Sequence, residues 1–261
     1  MRTCVDKKLT KKTFSLCYIF LLALVIPLNA IGQQSEKGLI EKIQTLWLEA
    51  QIESKTISPF YSERSGILIN DVLFIGIENI NKQLLSLKKE VGQFTNYKVI
   101  EVFQIRENQK FILGEYKTKS GHILNTIIGW RYRDKWTKAF EVIYNKTEDF
   151  ILGVDSVNKK REDWETFSNQ HRPDLIVSEV FSENGKYFNR GNQYHAQEII
   201  GAYSYMSNES YKIKLEALKV LQVNNKIVFD IGTFTSGGKG LYTLIWKKED
   251  DDWKLLLDFN F

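Results

Sequence analysis

The sequence repeats itself. At an offset of 120 residues, Tyr61-Ser62-Glu63 falls on Phe181-Ser182-Glu183 and Trp47 falls on Phe167. Val102-Phe103-Gln104-Ile105 falls on Val220-Leu221-Gln222-Val223 at 118, and Lys110-Phe111-Ile112-Leu113 on Lys226-Ile227-Val228-Phe229 at 116. Trp130 matches Trp246 at 116, and Trp136 matches Trp253 at 117. Each change of offset lies between segments, where a turn can absorb a residue or two. Matches that keep one order over so long a period mark two copies of one folding unit. Whatever fold is assigned to one half must therefore serve the other.

Each half reads as helices followed by strands. Leu39, Ile43, Leu46, Trp47 and Ala50 share one helical face in the first half, as do Trp164, Phe167 and His171 in the second. Ser58 before Pro59, and Asp174 after Pro173, read as start signals of a short second helix. His171 is placed at a helix end. A short strand follows, Ile67 to Ile69 or Lys186 to Phe188. Then comes an amphipathic helix carrying Ile77, Ile80, Leu84 and Leu87, or Ala196, Ile199, Ile200 and Tyr203. Four long strands close each half, near 95–106, 110–119, 122–133 and 136–144, then near 210–223, 226–235, 239–248 and 252–260. Asn224-Asn225 and Asp250-Asp251-Asp252 mark tight turns between them. Long neighbouring strands with short turns predict an antiparallel sheet, and helices before strands predict an α+β class.

Several strands are apolar at successive positions: Leu241, Thr243 and Ile245 alternate with Tyr242, Leu244 and Trp246. A sheet with one solvated face would alternate apolar and polar residues. Helices cover one face, so the other needs a cover as well. The expectation is that the two sheets pack on each other as an intrachain pseudo-dimer, with a homodimer through the same faces as the alternative.

The N-terminal segment carries Arg2, Lys7, Lys8, Lys11 and Lys12, then the apolar run Phe14 to Leu28, then Asn29-Ala30-Ile31-Gly32. A basic stretch, a short apolar stretch and small residues in that order predict a secretory signal peptide, cleaved after Ala30 or Gly32. The run falls short of the roughly 20 residues that span a bilayer, although an uncleaved anchor is the alternative. Export to a bacterial periplasm or the exterior follows. The two cysteines, Cys4 and Cys17, both lie in this leader, so the remaining chain offers no disulfide and no thiol ligand. The net charge of +4 comes from 36 basic and 32 acidic residues. Taking away the leader's five basic residues and Asp6 leaves 31 of each. A neutral chain gives no reason to expect nucleic acid or an anionic surface as partner.

At this level the sequence resembles the nuclear transport factor 2-like superfamily, which includes ketosteroid isomerases and SnoaL-like polyketide cyclases. The resemblance rests on Gly240 to Asn260, similar to the last hairpin of the SnoaL-like branch, and on Asp230-Ile231-Gly232-Thr233-Phe234-Thr235, similar to the strand before it. Asn184-Gly185-Lys186-Tyr187-Phe188 with Gly191 resembles the first strand and the loop after it. In the first half the likeness is weaker, and Tyr116-Lys117-Thr118 replaces the Gly-Thr-Phe-Thr step. The resemblance implies two tandem cone-shaped domains, each with helices packed on a curved antiparallel sheet around a pocket. The expected organisation is signal peptide 1–32, a divergent first domain 33–148, a linker 149–159 and a second, SnoaL-like domain 160–261.

Members of such a superfamily are enzymes, small-molecule binders or association modules, and fold alone does not choose among them. The three histidines, His122, His171 and His195, show no metal-ligand spacing, so neither metal nor cofactor is expected. Ser236-Gly237-Gly238 lacks the pattern of a nucleophile elbow, and Gly237-Gly238-Lys239-Gly240 joins two strands rather than a strand and a helix. Acid–base chemistry remains. It needs a carboxyl group tuned by an apolar wall, with a donor nearby. The candidates are Asp258, Asp230 and His195, with Tyr187, Tyr203, Tyr242 and Trp164 as ligand-binding residues. Asp258 lies between Leu257 and Phe259, where a carboxylate must be paired or neutralised. Glu141 and Glu115 are the first-half analogues. The absence of a complete catalytic set favours a non-catalytic module that binds a small apolar or amphipathic ligand or mediates association. The alternative is an isomerase, cyclase or hydratase acting in the second domain.

Overall fold

The computed structural model describes residue 38 and residues 42–50, 59–147 and 154–261. The signal peptide, the Ser58 start signal and Leu39 lie outside these residues. Residues 42–50 are helical, with Trp47 fully buried and Leu46 exposed. Of the expected apolar face, Trp47 and Ala50 are buried, whereas Leu46 is exposed and Leu48 is buried in its stead.

Two sheets of six strands follow. The first comprises β1 (Gly66–Ile69), β2 (Val72–Ile75), β3 (Phe94–Arg106), β4 (Gln109–Thr118), β5 (Ile123–Tyr132) and β6 (Trp136–Asn145), with helix α1 (Ile77–Val91) between β2 and β3. Its order is β2-β1-β6-β5-β4-β3. The second half opens with α2 (Val154–Asn169), which begins inside the stretch read as linker. A helical turn at Pro173–Leu175 and a π turn at Ile176–Val180 lead into β7 (Phe181–Asn189) and β8 (Asn192–His195). Then come α3 (Gln197–Ala202), β9 (Lys214–Asn224), β10 (Ile227–Thr235), β11 (Lys239–Glu249) and β12 (Asp252–Asn260). The order β8-β7-β12-β11-β10-β9 is the same topology. The class is α+β and the unit is a cone, present twice.

The sheets are mixed rather than purely antiparallel. β1 runs parallel to β6, and β7 runs parallel to β12. Short turns enforce antiparallel pairing only between consecutive strands. The first and last strands of each copy are joined by the whole unit, so nothing local fixes their relative direction. The short strands β2 and β8 were not expected. Each closes a two-residue hairpin whose central residues both have positive φ: Asn70 and Asp71 in one copy, Arg190 and Gly191 in the other.

Ladder registers fix the equivalences. β1 meets β6 at Ile67 and Glu141, and β7 meets β12 at Tyr187 and Asp258. Glu141 and Asp258 are thus the same position in the two copies. The hairpins closing at Arg106 with Gln109, and at Asn224 with Ile227, equate Phe111 with Phe229 and Gly114 with Gly232. The expected match of Lys110 to Lys226 is two residues out, and the first copy does carry the glycine of the Gly-Thr-Phe-Thr step. Gly76 and Ala196 are equivalent, and both have positive φ where the third helix starts.

The apolar-on-both-faces strands separate cleanly. In β11, Leu244 and Trp246 join Trp164, Trp253 and Leu255 beneath the helices. Ile245 joins a core on the opposite face, with Phe229, Ile231, Leu257 and Phe259. That second core also contains Phe111, Leu113, Ile127, Phe140 and Val142 of the first sheet. The rings of Phe140 and Phe259 stack at 4.5 Å, and Phe140 lies 5.7 Å from Phe188. Gly66 permits this approach, since a Cβ there would fall 2.8 Å from the Phe188 ring. Lys247 pairs with Asp71 at 2.7 Å at the edge of the contact. β-Bulges at Gly129/Trp130 and at Ile245/Trp246 bend the two sheets at equivalent places.

Candidate functional site

Asp258 enters the second cone from β12. The parallel partner strand places Tyr187 beside it, and the antiparallel neighbour places Leu244 on its other side. Only 3% of Asp258 is exposed. Tyr203, at the C-terminal end of α3, donates its hydroxyl to Asp258 Oδ2. Burial pushes the Asp258 carboxyl up to about 7, against the opposing pull of the Tyr203 hydrogen bond. A buried carboxylate lacking a cation favours its neutral form.

Asp258 lines an open cavity of about 670 Å³. Trp164 from α2, Tyr187, Tyr205, Tyr211, Tyr242 and Phe234 supply much of its wall. The buried Trp164 Nε1 has no hydrogen-bond partner, so the cavity wall includes a free donor. Asn189 Nδ2 donates to the Tyr187 hydroxyl at 2.5 Å and to Asn260 Oδ1 at 2.9 Å, giving one rim a fixed amide network. The Tyr187 phenol is pushed up to about 12 by burial and by the charge of Asp258. Burial likewise raises Tyr203, Tyr205 and Tyr242, so these phenols remain protonated donors at neutral pH.

Asp230 is placed differently. Its fully buried carboxylate accepts from Arg161 Nη1 at 2.7 Å, Trp246 Nε1 at 3.1 Å and the Tyr242 hydroxyl at 3.4 Å. Burial raises its pKa and the Arg161 charge opposes that rise. Three donors leave it little capacity for a ligand. It ties α2 to β10 and β11 and fixes Tyr242. His195 is exposed at the end of β8 and is not among the cavity-lining residues. Its backbone N–H donates to Glu198 Oε2 at 3.1 Å, the work of a helix start. His171, at φ 61, bonds Met206 O through Nδ1 at 2.7 Å.

The first copy closes the equivalent position. Glu141 is fully buried and accepts from Tyr61 at 2.5 Å, Tyr116 at 2.6 Å and Lys138 Nζ at 3.0 Å. Lys138 is itself fully buried, 3.6 Å from the centre of the Trp47 ring, and burial lowers its pKa to about 8. Tyr116 also packs against Trp47 and Phe94 at 5.0 Å each. Glu115 lies elsewhere, paired with Lys146 at 2.8 Å.

No family model matches the chain, and no curated protein matches it. Solved structures do. A nuclear transport factor 2-like protein of unknown function from Shewanella oneidensis MR-1 is 17% identical, covering 42% of this chain and 98% of its own, with a TM-score of 0.37. A nuclear transport factor 2-like protein from Cytophaga hutchinsonii is 14% identical over 41% of this chain and 96% of its own, at a TM-score of 0.34. A type 2 hexachlorocyclohexane dehydrochlorinase is 13% identical over 41% of this chain and 83% of its own, at 0.36. The chain itself shows one strand order in both halves. At these identities the likeness concerns fold alone.

Within that fold, sequence reasoning reached Asp258, Tyr187, Tyr203, Tyr242 and Trp164, which the structure gathers at or behind one cavity. It missed Tyr205, in a single helical turn after α3, and Tyr211, which falls within the strand expected near 210–223 but precedes the observed β9. It also missed Arg161, whose polar face of α2 reads as solvated. The pairing of Glu141 with Asp258 was available, because the offset that aligns Trp136 with Trp253 aligns these two carboxyls.

Proposed function

We propose that this is an exported protein whose second cone binds a small amphipathic molecule, with the first cone serving as a closed structural partner. The contrast between the copies carries this reading. At equivalent positions, Glu141 is sealed by a lysine and two tyrosines, whereas Asp258 has one tyrosine and an open aromatic cavity. A ligand with a flat apolar body would cover Trp164, Tyr205 and Tyr211. A hydroxyl on it would reach Asp258, and an acceptor would satisfy the Trp164 N–H. Leaving that donor unmatched is costly, which gives the site its selectivity for such a molecule.

A neutral aromatic alcohol such as 2-naphthol tests this by titration of tryptophan fluorescence. Saturable binding is expected, weakening as pH rises through about 7, the value to which Asp258 is pushed. Asp258→Asn should abolish that pH dependence. An absence of saturable binding, together with no co-purified small molecule in native mass spectra of protein from its own host, would defeat the proposal.

A second reading rests on Asp258 and Tyr203 themselves. A carboxyl titrating near neutrality beside a phenol is suited to moving a proton to and from bound substrate. It would make the second cone an isomerase, cyclase or hydratase. Loss of turnover of an identified substrate in Asp258→Asn, with the fold intact, would decide for it.

A further inference from the structure

A second concavity of about 300 Å³ lies where the two copies meet. The turn between β5 and β6 contributes Arg131, Arg133, Asp134 and Lys135, the first copy adds Ser62 and Arg64, and the β7–β8 hairpin adds Arg190 and Gly191. Ala139, Phe188 and Phe259 form its apolar part, with Thr137 alongside. Four guanidinium groups and an ammonium thus face one carboxylate, Asp134.

The arginines Arg161 and Arg172 of the second copy sit beside carboxylates, Asp230 at 2.7 Å and Asp174 at 2.6 Å. None of these five makes an ion pair within 4.0 Å among the described residues. Arg131 is the most constrained. Its Nε is shut off from solvent and has no hydrogen-bond acceptor, and its guanidinium lies 5.3 Å from the Phe261 ring. Burial lowers its pKa, and the nearby charges of Arg133 and Arg190 lower it further. Assembling like charges around a half-buried guanidinium is unfavourable unless an anion offsets it.

We propose that this groove binds a small organic oxyanion, a phosphate or sulfate monoester of a compact apolar alcohol. The oxyanion is held by Arg131, Arg133 and Arg190, and the apolar group rests on Phe188 and Phe259. Guanidinium forks match the geometry of such oxygens and donate charge-assisted hydrogen bonds. The phenylalanines favour a ligand with an apolar part over a bare ion. The cavity is of the size of a small ring bearing one such group. Residues of both copies are required, so neither cone alone contains the site.

Phenyl phosphate and inorganic phosphate, titrated calorimetrically into the full chain at fixed ionic strength, test the proposal. Phenyl phosphate should bind saturably and raise the melting temperature beyond sodium chloride of equal ionic strength. Its affinity should fall at least tenfold in Arg131→Gln and in the exposed pair Arg133→Gln/Arg190→Gln, and stay unchanged in Lys159→Gln on α2. Inorganic phosphate should bind the same arginines more weakly. Equal affinities for the two probes would refute the apolar half of the site. Unchanged affinity in Arg133→Gln/Arg190→Gln would refute the arginine half, as would a melting shift no larger than that of chloride. Binding confined to anionic vesicles or to nucleic acid would refute the small-molecule site altogether.

Discussion

A carboxyl raised to about 7 by burial is a burden on the fold as well as a tool. In the unfolded chain an aspartic acid titrates near 4, so the folded protein holds this proton more tightly than the unfolded one does. The resulting contribution to stability is fully present below about pH 4 and is lost as pH rises through about 7. Three pKa units correspond to roughly 4 kcal/mol. Asp258→Asn keeps an acceptor for Tyr203 and removes the ionisation. Above pH 8 the variant should melt about 8–16 °C higher than the parent, given roughly 2–4 °C per kcal/mol for a chain of this size. Near pH 4 the two should coincide. A thermal melt in which Asp258→Asn loses stability equally at both pH values would show that the carboxyl is not strained by burial. Asp258 could be picked out in the sequence because Leu257 and Phe259 flank it. His195 could not be dismissed there, because a polar residue before a helix reads alike whether it caps the helix or faces a pocket.

Between elements, the join that matters most for the site is α2 to β10. Arg161 is 12% exposed and its partner Asp230 is fully buried. Removing one member of such a pair leaves an uncompensated charge, at a cost of about 3–5 kcal/mol. Arg161→Leu should therefore lower stability by about that much in urea denaturation. The double variant Arg161→Leu/Asp230→Leu should recover most of it. Because Asp230 also holds Tyr242 and Trp246, the single variant should disturb the cavity wall, which the tryptophan emission would report. Equal losses in the single and double variants would mean the pair contributes packing rather than charge. No sequence pattern announces this contact. The long strands were legible, since alternation and paired aspartates or asparagines bracket them. The strand Asn192–His195 was not, having neither apolar alternation nor β-branched residues. Its pairing is dictated by the hairpin turn at Arg190 and Gly191. The parallel junctions were illegible for another reason: pairing between the ends of a unit depends on closure of the whole sheet.

At the scale of the molecule, one core runs through both copies. Phe140 of the first sheet stacks on Phe259 of the second, one residue from Asp258, and neither sheet has another cover for that face among the described residues. The apolar run on both faces of β11 made such a cover necessary and carried the expectation that the two sheets pack on each other, but the sequence left a homodimer through the same faces as the alternative. A shared core couples the stabilities of the two cones, since opening either one exposes the other's apolar face to water. Phe140→Ala removes a fully buried ring and should cost about 3–5 kcal/mol. The cost should fall on both copies together. Urea unfolding followed by circular dichroism of the whole chain should show one transition in the parent and one, at lower urea, in the variant. A fluorine label on the tryptophans resolves Trp47, Trp130 and Trp136 from Trp164, Trp246 and Trp253, and all six should move with the same midpoint. Two midpoints, with only the first-copy tryptophans shifted, would show that the cones fold independently and that the contact between their sheets is incidental to the open cavity behind Asp258.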